Sequence, residues 1–192
     1  MIYPDNPHKV KNGIRELGAV DIKPIRNLLL SMKTSLWQSS KNNNLNTDKK
    51  SIILNYTSKI KLKITDRSTD PVEIQYSPVW DAWKLTIVPI LDEIVKCYAY
   101  ERYHFPMITF AKLSSNSPII PHTDGPMSQF APHKIHVPIQ TNDDTFFFIG
   151  DNRWHLKEGM AYEVDNITKH AAINAGHKDR IHLIFECMFG EE

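Results

Sequence analysis

The sequence predicts a mainly β domain with flanking helices, built as an antiparallel sandwich or jelly roll. Three observations lead there. Beyond residue 105, short runs rich in aromatic and β-branched residues recur at roughly ten-residue spacing, over 107–113, 119–122, 135–140, 145–149, 160–164, 171–174 and 180–189. Turn dipeptides separate them: Gly125-Pro126, Asn142-Asp143, Gly150-Asp151, Glu158-Gly159 and Ala175-Gly176. No helical period falls between these runs, and the two helical patterns come earlier, so the helices are expected to cover one sheet.

Taken in order, Asp21 is a plausible N-cap with Pro24 in the first turn, and Ile25, Leu28, Leu29, Met32 and Leu36 share one face of a helix over 22–38. Residues 41–50 (KNNNLNTDKK) are polar and rich in Asn and read as a surface loop. Strand-like segments follow at 51–56 and 58–65. In the second, Lys59, Lys61 and Lys63 alternate with Ile60, Leu62 and Ile64. A lysine row of this kind is a common way to protect an exposed sheet edge. A second helix carries Trp80, Trp83, Ile87, Leu91, Ile94, Val95 and Tyr98 on one stripe, with Pro89 expected to bend or divide it. The chain reads as one domain, 1–192, in which a helical and loop-rich leading segment, 1–104, packs on the β core of 105–189.

Composition excludes several classes. The chain has 192 residues, 23 Lys+Arg against 22 Asp+Glu, and 41% hydrophobic residues. That balance rules out a disordered chain, an acidic tail and a nucleic-acid binder driven by bulk charge. Cys97 and Cys187 stand far apart with no C-x-x-C, which suits a reducing compartment. Residues 1–10 lack the apolar core of a secretory signal, and the longest near-apolar run, 85–91, is interrupted by Thr86 and Pro89. The expectation is a cytoplasmic protein with no membrane span.

The unusual feature is histidine. Seven of nine (His122, His133, His136, His155, His170, His177, His182) fall within residues 122–182. His122-Thr123-Asp124 is an H-x-D whose first and third residues share parity in an extended segment, so imidazole and carboxylate can face one ion. Chance supplies roughly 0.6 such motifs at this composition, so the motif alone is weak. His170 follows at a predicted strand start, and Arg180 opens the last strand ten residues later. Two imidazoles and one carboxylate on one face of a metal leave three positions open, as non-haem Fe(II) requires to hold a bidentate oxoacid and O₂ together. Arg180 offers a planar, permanently charged partner for a carboxylate.

These residues resemble a known family. From 105 to 189 the chain is similar to the aspartyl/asparaginyl β-hydroxylase-like Fe(II)- and 2-oxoglutarate-dependent dioxygenases. The matching residues are Pro121-His122-Thr123-Asp124, Lys134-Ile135-His136-Val137-Pro138, Trp154, Glu158-Gly159, Val164-Asp165-Asn166, His170 with Asn174, and Asp179-Arg180-Ile181-His182-Leu183-Ile184. The resemblance implies a double-stranded β-helix, cupin-like core. It implies His122, Asp124 and His170 as iron ligands, Arg180 as the partner of the distal 2-oxoglutarate carboxylate, and His136 as a second polar contact to that cosubstrate. Members often carry Arg where this chain has Lys134, which keeps the charge but loses the bidentate geometry of a guanidinium. The implied reaction uses O₂ to hydroxylate an unactivated C–H of an amino acid or of an Asp/Asn-type or Pro residue in a peptide, with 2-oxoglutarate decarboxylated to succinate.

Strand parity groups Lys134, His136, Pro138 and Gln140 on one face, and Arg180, His182 and Ile184 on another. His182 is read as a pocket residue or one that supports a pocket residue. Asn174 either orients a ligand or begins the turn at Ala175-Gly176. Trp154 is either a pocket wall or packing beside a turn. His133, His155 and His177 are expected at the surface. Two other functions use the same residues: a jelly-roll binding module with a structural or vestigial metal, and zinc-assisted hydrolysis. Neither gives Arg180 a task. The expected partner is a small amino acid or a peptide, with no nucleic acid and no membrane.

Overall fold

Alternation along the strands sorts this chain into layers. The protein is described by a computed structural model over residues 6–32, 34–39, 56–66, 73–124 and 132–190. The leading part contains β1 (Ile14–Ala19), α1 (Lys23–Leu30), β2 (Gln38–Ser39), β3 (Thr57–Asp66), β4 (Glu73–Tyr76) and α2 (Trp80–Val95). Eight strands follow: β5 (Tyr103–Leu113), β6 (Ser117–His122), β7 (His133–Gln140), β8 (Thr145–Ile149), β9 (Asn152–Trp154), β10 (Met160–Val164), β11 (His170–Asn174) and β12 (Arg180–Phe189). Among the described residues they form two antiparallel sheets. The larger has the order β1-β10-β7-β12-β5-β3-β2, with β4 on β3, and the smaller β6-β11-β8-β9. From β5 to β12 the chain winds back and forth between the sheets, which is the double-stranded β-helix. The loop expected at 41–50, residues 51–55 of the strand expected at 51–56, and the turn Gly125-Pro126 lie outside the described residues.

The outer face of the large sheet carries Phe110, Ile135, Val137, Leu183 and Phe185, and these pack under Trp83, Ile87 and Leu91 of α2 and Ile25 of α1. The inner face of the same strands holds Lys134, His136, Arg180 and His182. A second cluster, Leu113, Phe147, Ile149, Tyr162, Val164 and Ala172, fills the space between the sheets. Trp154 packs against that cluster. On β7 and β12, residue parity alone thus sets apolar side chains under the helices and polar ones between the sheets.

α2 runs unbroken through Pro89. The hydrogen bond that proline cannot make would reach Leu85 on the exposed side, where water serves the carbonyl instead. α1 stops at Leu30, short of the expected 38. Leu30 is exposed and gains nothing from packing, Ser31 Oγ donates to Leu28 O, and the chain resumes as a short 3-10 turn at Thr34–Leu36. Asp21 still serves the start of α1 by accepting from Lys23 N.

The lysine row is not an edge. β3 pairs with β5 on one side and with β2 and β4 on the other. A register shift between Lys61 and Lys63 breaks the alternation, and Lys63 is buried. The leading segment also supplies strands, with β1 extending the sheet beside β10 and β3 beside β5.

His133, expected at the surface, is completely buried. Its Nδ1–H donates to Glu163 Oε1 at 2.7 Å, and its ring stacks on Tyr98 at 3.9 Å. Glu163 also accepts from Tyr98 OH and Val10 N. Burial opposes the charge on Glu163, but the hydrogen bond and ion pair from His133 outweigh it and hold the carboxyl below its usual range. This buried group ties the segment after Asn6 to the start of β7, one residue before Lys134.

Candidate metal and carboxylate site

Strand register brings the triad together. β6 and β11 are antiparallel neighbours with His122 directly opposite His170, so a cross-strand pair places the two rings 4.4 Å apart between centroids. Each Nδ1–H donates to a carbonyl two residues earlier, Ile120 O at 2.8 Å and Thr168 O at 3.1 Å. That fixes both tautomers and leaves each Nε2 lone pair available to a metal. Asp124 stands just past β6. Ligand atoms of His122, Asp124 and His170 all lie within 4.8 Å of one another.

Asp124 is held from behind. Its Oδ2 accepts from Asn166 Nδ2 at 2.8 Å and lies 3.4 Å from Lys134 Nζ, while Oδ1 lies 3.8 Å from His170 Nε2. Its backbone N–H donates to Asn166 O. One carboxylate oxygen is thereby engaged by the protein and the other is turned to the histidines. Burial works against charge here, yet Lys134, His170, Asn166 and His122 outweigh it and hold the carboxyl well below the usual carboxylate range. Burial lowers the pKa of His170, with Asp124 opposing, which favours the unprotonated ring that a metal needs.

A cavity runs from this triad between the sheets to Arg180. Its walls include Lys134, His136 and Asn166, the Phe147 ring, and Thr57 and Lys59 of β3. Phe147 stacks on His170 and meets His136 edge-on, forming an apolar wall between the two polar ends. Arg180 is 3% exposed, and among the described residues no hydrogen bond or ion pair engages its guanidinium. Burial alone lowers its pKa to about 10, which leaves it charged. A buried, unpaired cation is costly unless a ligand anion completes it.

The structure thus gathers His122, Asp124, His170, His136, Lys134 and Arg180 around one cavity. Lys134 points its ammonium at Asp124 and at Glu186 Oε1, 3.2 Å away and directly opposite in register. His182 stands behind His136, with its Nδ1 3.4 Å from the Nδ1 of that ring. Asn174 is not brought to the cavity. Its amide nitrogen donates to Ser114 O and Lys178 O, and its oxygen accepts from Asn142, Thr145 and Gly176, so it ties turns together. Of the two sequence readings, the turn is the one this geometry matches. His155 donates to Thr145 O, and His177 is exposed. Asn166, Glu186 and Phe147 received no role from the sequence. Asn166 and Glu186 act across 42 and 52 residues of chain, and only strand register reveals them.

Comparison with known proteins bears on this arrangement. The family described as aspartyl/asparaginyl beta-hydroxylase matches residues 31–188. No curated protein matches the chain. Among solved structures, an oxidoreductase of the 2OG-Fe(II) oxygenase family from Burkholderia pseudomallei superposes with TM-score 0.55 at 10% identity, over 69% of this chain and 68% of that one. A viral collagen prolyl hydroxylase from Paramecium bursaria Chlorella virus-1, in complex with 2OG, gives TM-score 0.52 at 11% identity, over 94% of this chain and 97% of that one. At such identities these likenesses speak for the fold. The family match covers most of the chain, from the residue after α1 into β12, and with it this chain belongs to the aspartyl/asparaginyl β-hydroxylase family.

Proposed function

We propose that the protein is an Fe(II)- and 2-oxoglutarate-dependent dioxygenase that hydroxylates an unactivated C–H of an amino acid or of an Asp/Asn-type or Pro residue in a peptide. The observation that carries this reading is Arg180, a buried guanidinium with no partner among the described residues, at the opposite end of a cavity from a His-Asp-His cluster. A dicarboxylate that chelates a metal through one end and meets a cation with the other fits both features. The donor set fits Fe(II) as well, with two imidazole nitrogens and one carboxylate oxygen on one side and room for exchangeable ligands on the other.

In this reading His122, Asp124 and His170 hold the iron, and Arg180 with His136 holds the distal carboxylate. Iron, 2-oxoglutarate and O₂ together supply oxidative decarboxylation to succinate and the oxygen inserted into the substrate. The chain itself does the positioning. Ile120 O and Thr168 O orient the imidazoles, and Asn166 and Lys134 fix one oxygen of Asp124. Phe147 keeps the span between the two ends apolar, which strengthens the pairing of Arg180 with a carboxylate. Thr57 and Lys59 bring the leading segment into the cavity wall, where it is available to choose among substrates.

The test is turnover with a panel of free amino acids and peptides, Fe(II), ascorbate and 2-oxoglutarate. Succinate release together with a gain of one oxygen on one substrate class is expected. A folded, metal-loaded protein that neither binds 2-oxoglutarate nor releases succinate would overturn the reading.

A further inference from the structure

The inner face of the large sheet holds a second histidine pair, His136 and His182, whose arrangement the metal triad does not explain. His182 is 2% and His136 7% exposed. Their Nδ1 atoms approach to 3.4 Å, the outer limit of hydrogen-bond distance, with the rings crossed at 76°. Nε2 of His182 is buried without a partner among the described residues. His136 lines the cavity, with no other hydrogen bond to its ring among the described residues. Burial and the nearby Arg180 charge hold both rings well below the ordinary imidazole pKa, so both are neutral. Two neutral rings meeting Nδ1 to Nδ1 need one proton between them, which leaves two arrangements.

In the first, His136 donates to His182. The orphaned Nε2 of His182 then carries a buried N–H with nothing to accept it, and His136 turns a lone pair toward the cavity. In the second, His182 donates to His136. The orphan is then only an under-used acceptor, and His136 turns an N–H toward the cavity. Orphaned buried N–H groups are rarer than under-used acceptors, and the first arrangement would also set a lone pair against any anion beside Arg180. Resting on the 2-oxoglutarate reading above, we infer that His182 is a positioning residue: it donates from Nδ1 to Nδ1 of His136 and so makes Nε2–H of His136 a second hydrogen-bond donor, with Arg180, for the distal carboxylate of the cosubstrate.

The two histidines thus have separate tasks. His136 touches the ligand, and His182 decides which face of His136 carries the proton. A Phe or Leu at 182 would keep the packing and lose that control. An Asn at 182 can place an amide N–H near the position of Nδ1 and restore it.

Long-range ¹H–¹⁵N correlation on histidine-labelled, Zn(II)-loaded protein reads the tautomers directly, assigned with the His136→Asn and His182→Asn variants. Protonated Nε2 and unprotonated Nδ1 on His136 are expected; the reverse pattern overturns the inference. Calorimetric titration with 2-oxoglutarate gives the second reading. His182→Leu should weaken binding roughly tenfold, the loss of one hydrogen bond, with Zn(II) affinity unchanged, and His182→Asn should recover most of it. Equal affinity of wild type and His182→Leu overturns the inference, as does failure of His182→Asn to rescue a weakened site. If wild type binds no 2-oxoglutarate while the spectrum shows Nε2–H on His136, the cosubstrate reading fails and the tautomer control stands. Should His182→Leu not fold, the wild-type spectrum alone decides.

Discussion

Replacing Arg180 with Met should make the ligand-free protein more stable and unable to hold its cosubstrate. The guanidinium is buried and has no partner among the described residues, and burial alone lowers its pKa from the ordinary guanidinium value to about 10. At about 1.36 kcal/mol for each unit of pKa, that lowering is about 3 kcal/mol of desolvation borne by the folded state. Methionine keeps much of the apolar stem without the charge. For a chain of this size about 3 kcal/mol corresponds to a rise of roughly 6–12 °C in Tm. The assay is thermal unfolding of metal-loaded wild type and Arg180→Met, each with and without 2-oxoglutarate. Wild type should gain stability from the ligand and the variant should not, although it starts higher. A variant that unfolds earlier than wild type without ligand, or one that still gains stability from 2-oxoglutarate, refutes the reasoning. Stability given up at a binding site in this way is a familiar trade.

Three further outcomes are expected. Asn166→Ala removes the amide donor from Oδ2 of Asp124 and should weaken divalent-metal affinity about 10–100-fold, measured by competition with a chromophoric chelator; an unchanged affinity removes Asn166 from the site. Glu163 has a lowered pKa in the folded state, so the stability it adds is fully present above the unfolded carboxylate pKa of about 4.3 and is lost as pH falls through the folded value. Glu163→Gln should therefore cost about 1.5–3 kcal/mol at pH 7 and approach wild type in urea titrations below pH 4.3, whereas a gap independent of pH would contradict this. Phe110→Ala empties a fully buried site that meets Trp83 edge-on and should cost about 3–5 kcal/mol by the same measurement, with metal affinity intact.

The core was legible in the sequence wherever strands alternate strongly. The runs at 145–149, 160–164 and 180–189 match β8, β10 and β12, because one face of each is buried and a slip of one residue would reverse it. β1 was missed because IRELGA has little alternation and contains Gly18, with φ +126 beside the register shift in its pairing with β10. The lysine row of β3 misled because the same alternation serves an exposed edge or an inner wall, and only tertiary pairing tells them apart. At the site, His122, Asp124, His170 and Arg180 could be read from type and spacing. What could not be read was how they are held, since Asn166 on Asp124, Glu186 on Lys134 and His133 on Glu163 are contacts across strands with no local signal. Asn174 shows the converse, a residue at a suggestive spacing whose amide is spent on turns.

The complex that decides the proposed function is Fe(II) held by His122, Asp124 and His170 with 2-oxoglutarate chelated to it and anchored on Arg180. Anaerobic addition of Fe(II) and 2-oxoglutarate to the purified protein measures it directly. A visible charge-transfer band is predicted in wild type and its loss in His170→Ala and Arg180→Met; a folded wild-type protein that binds iron and gives no band contradicts the account.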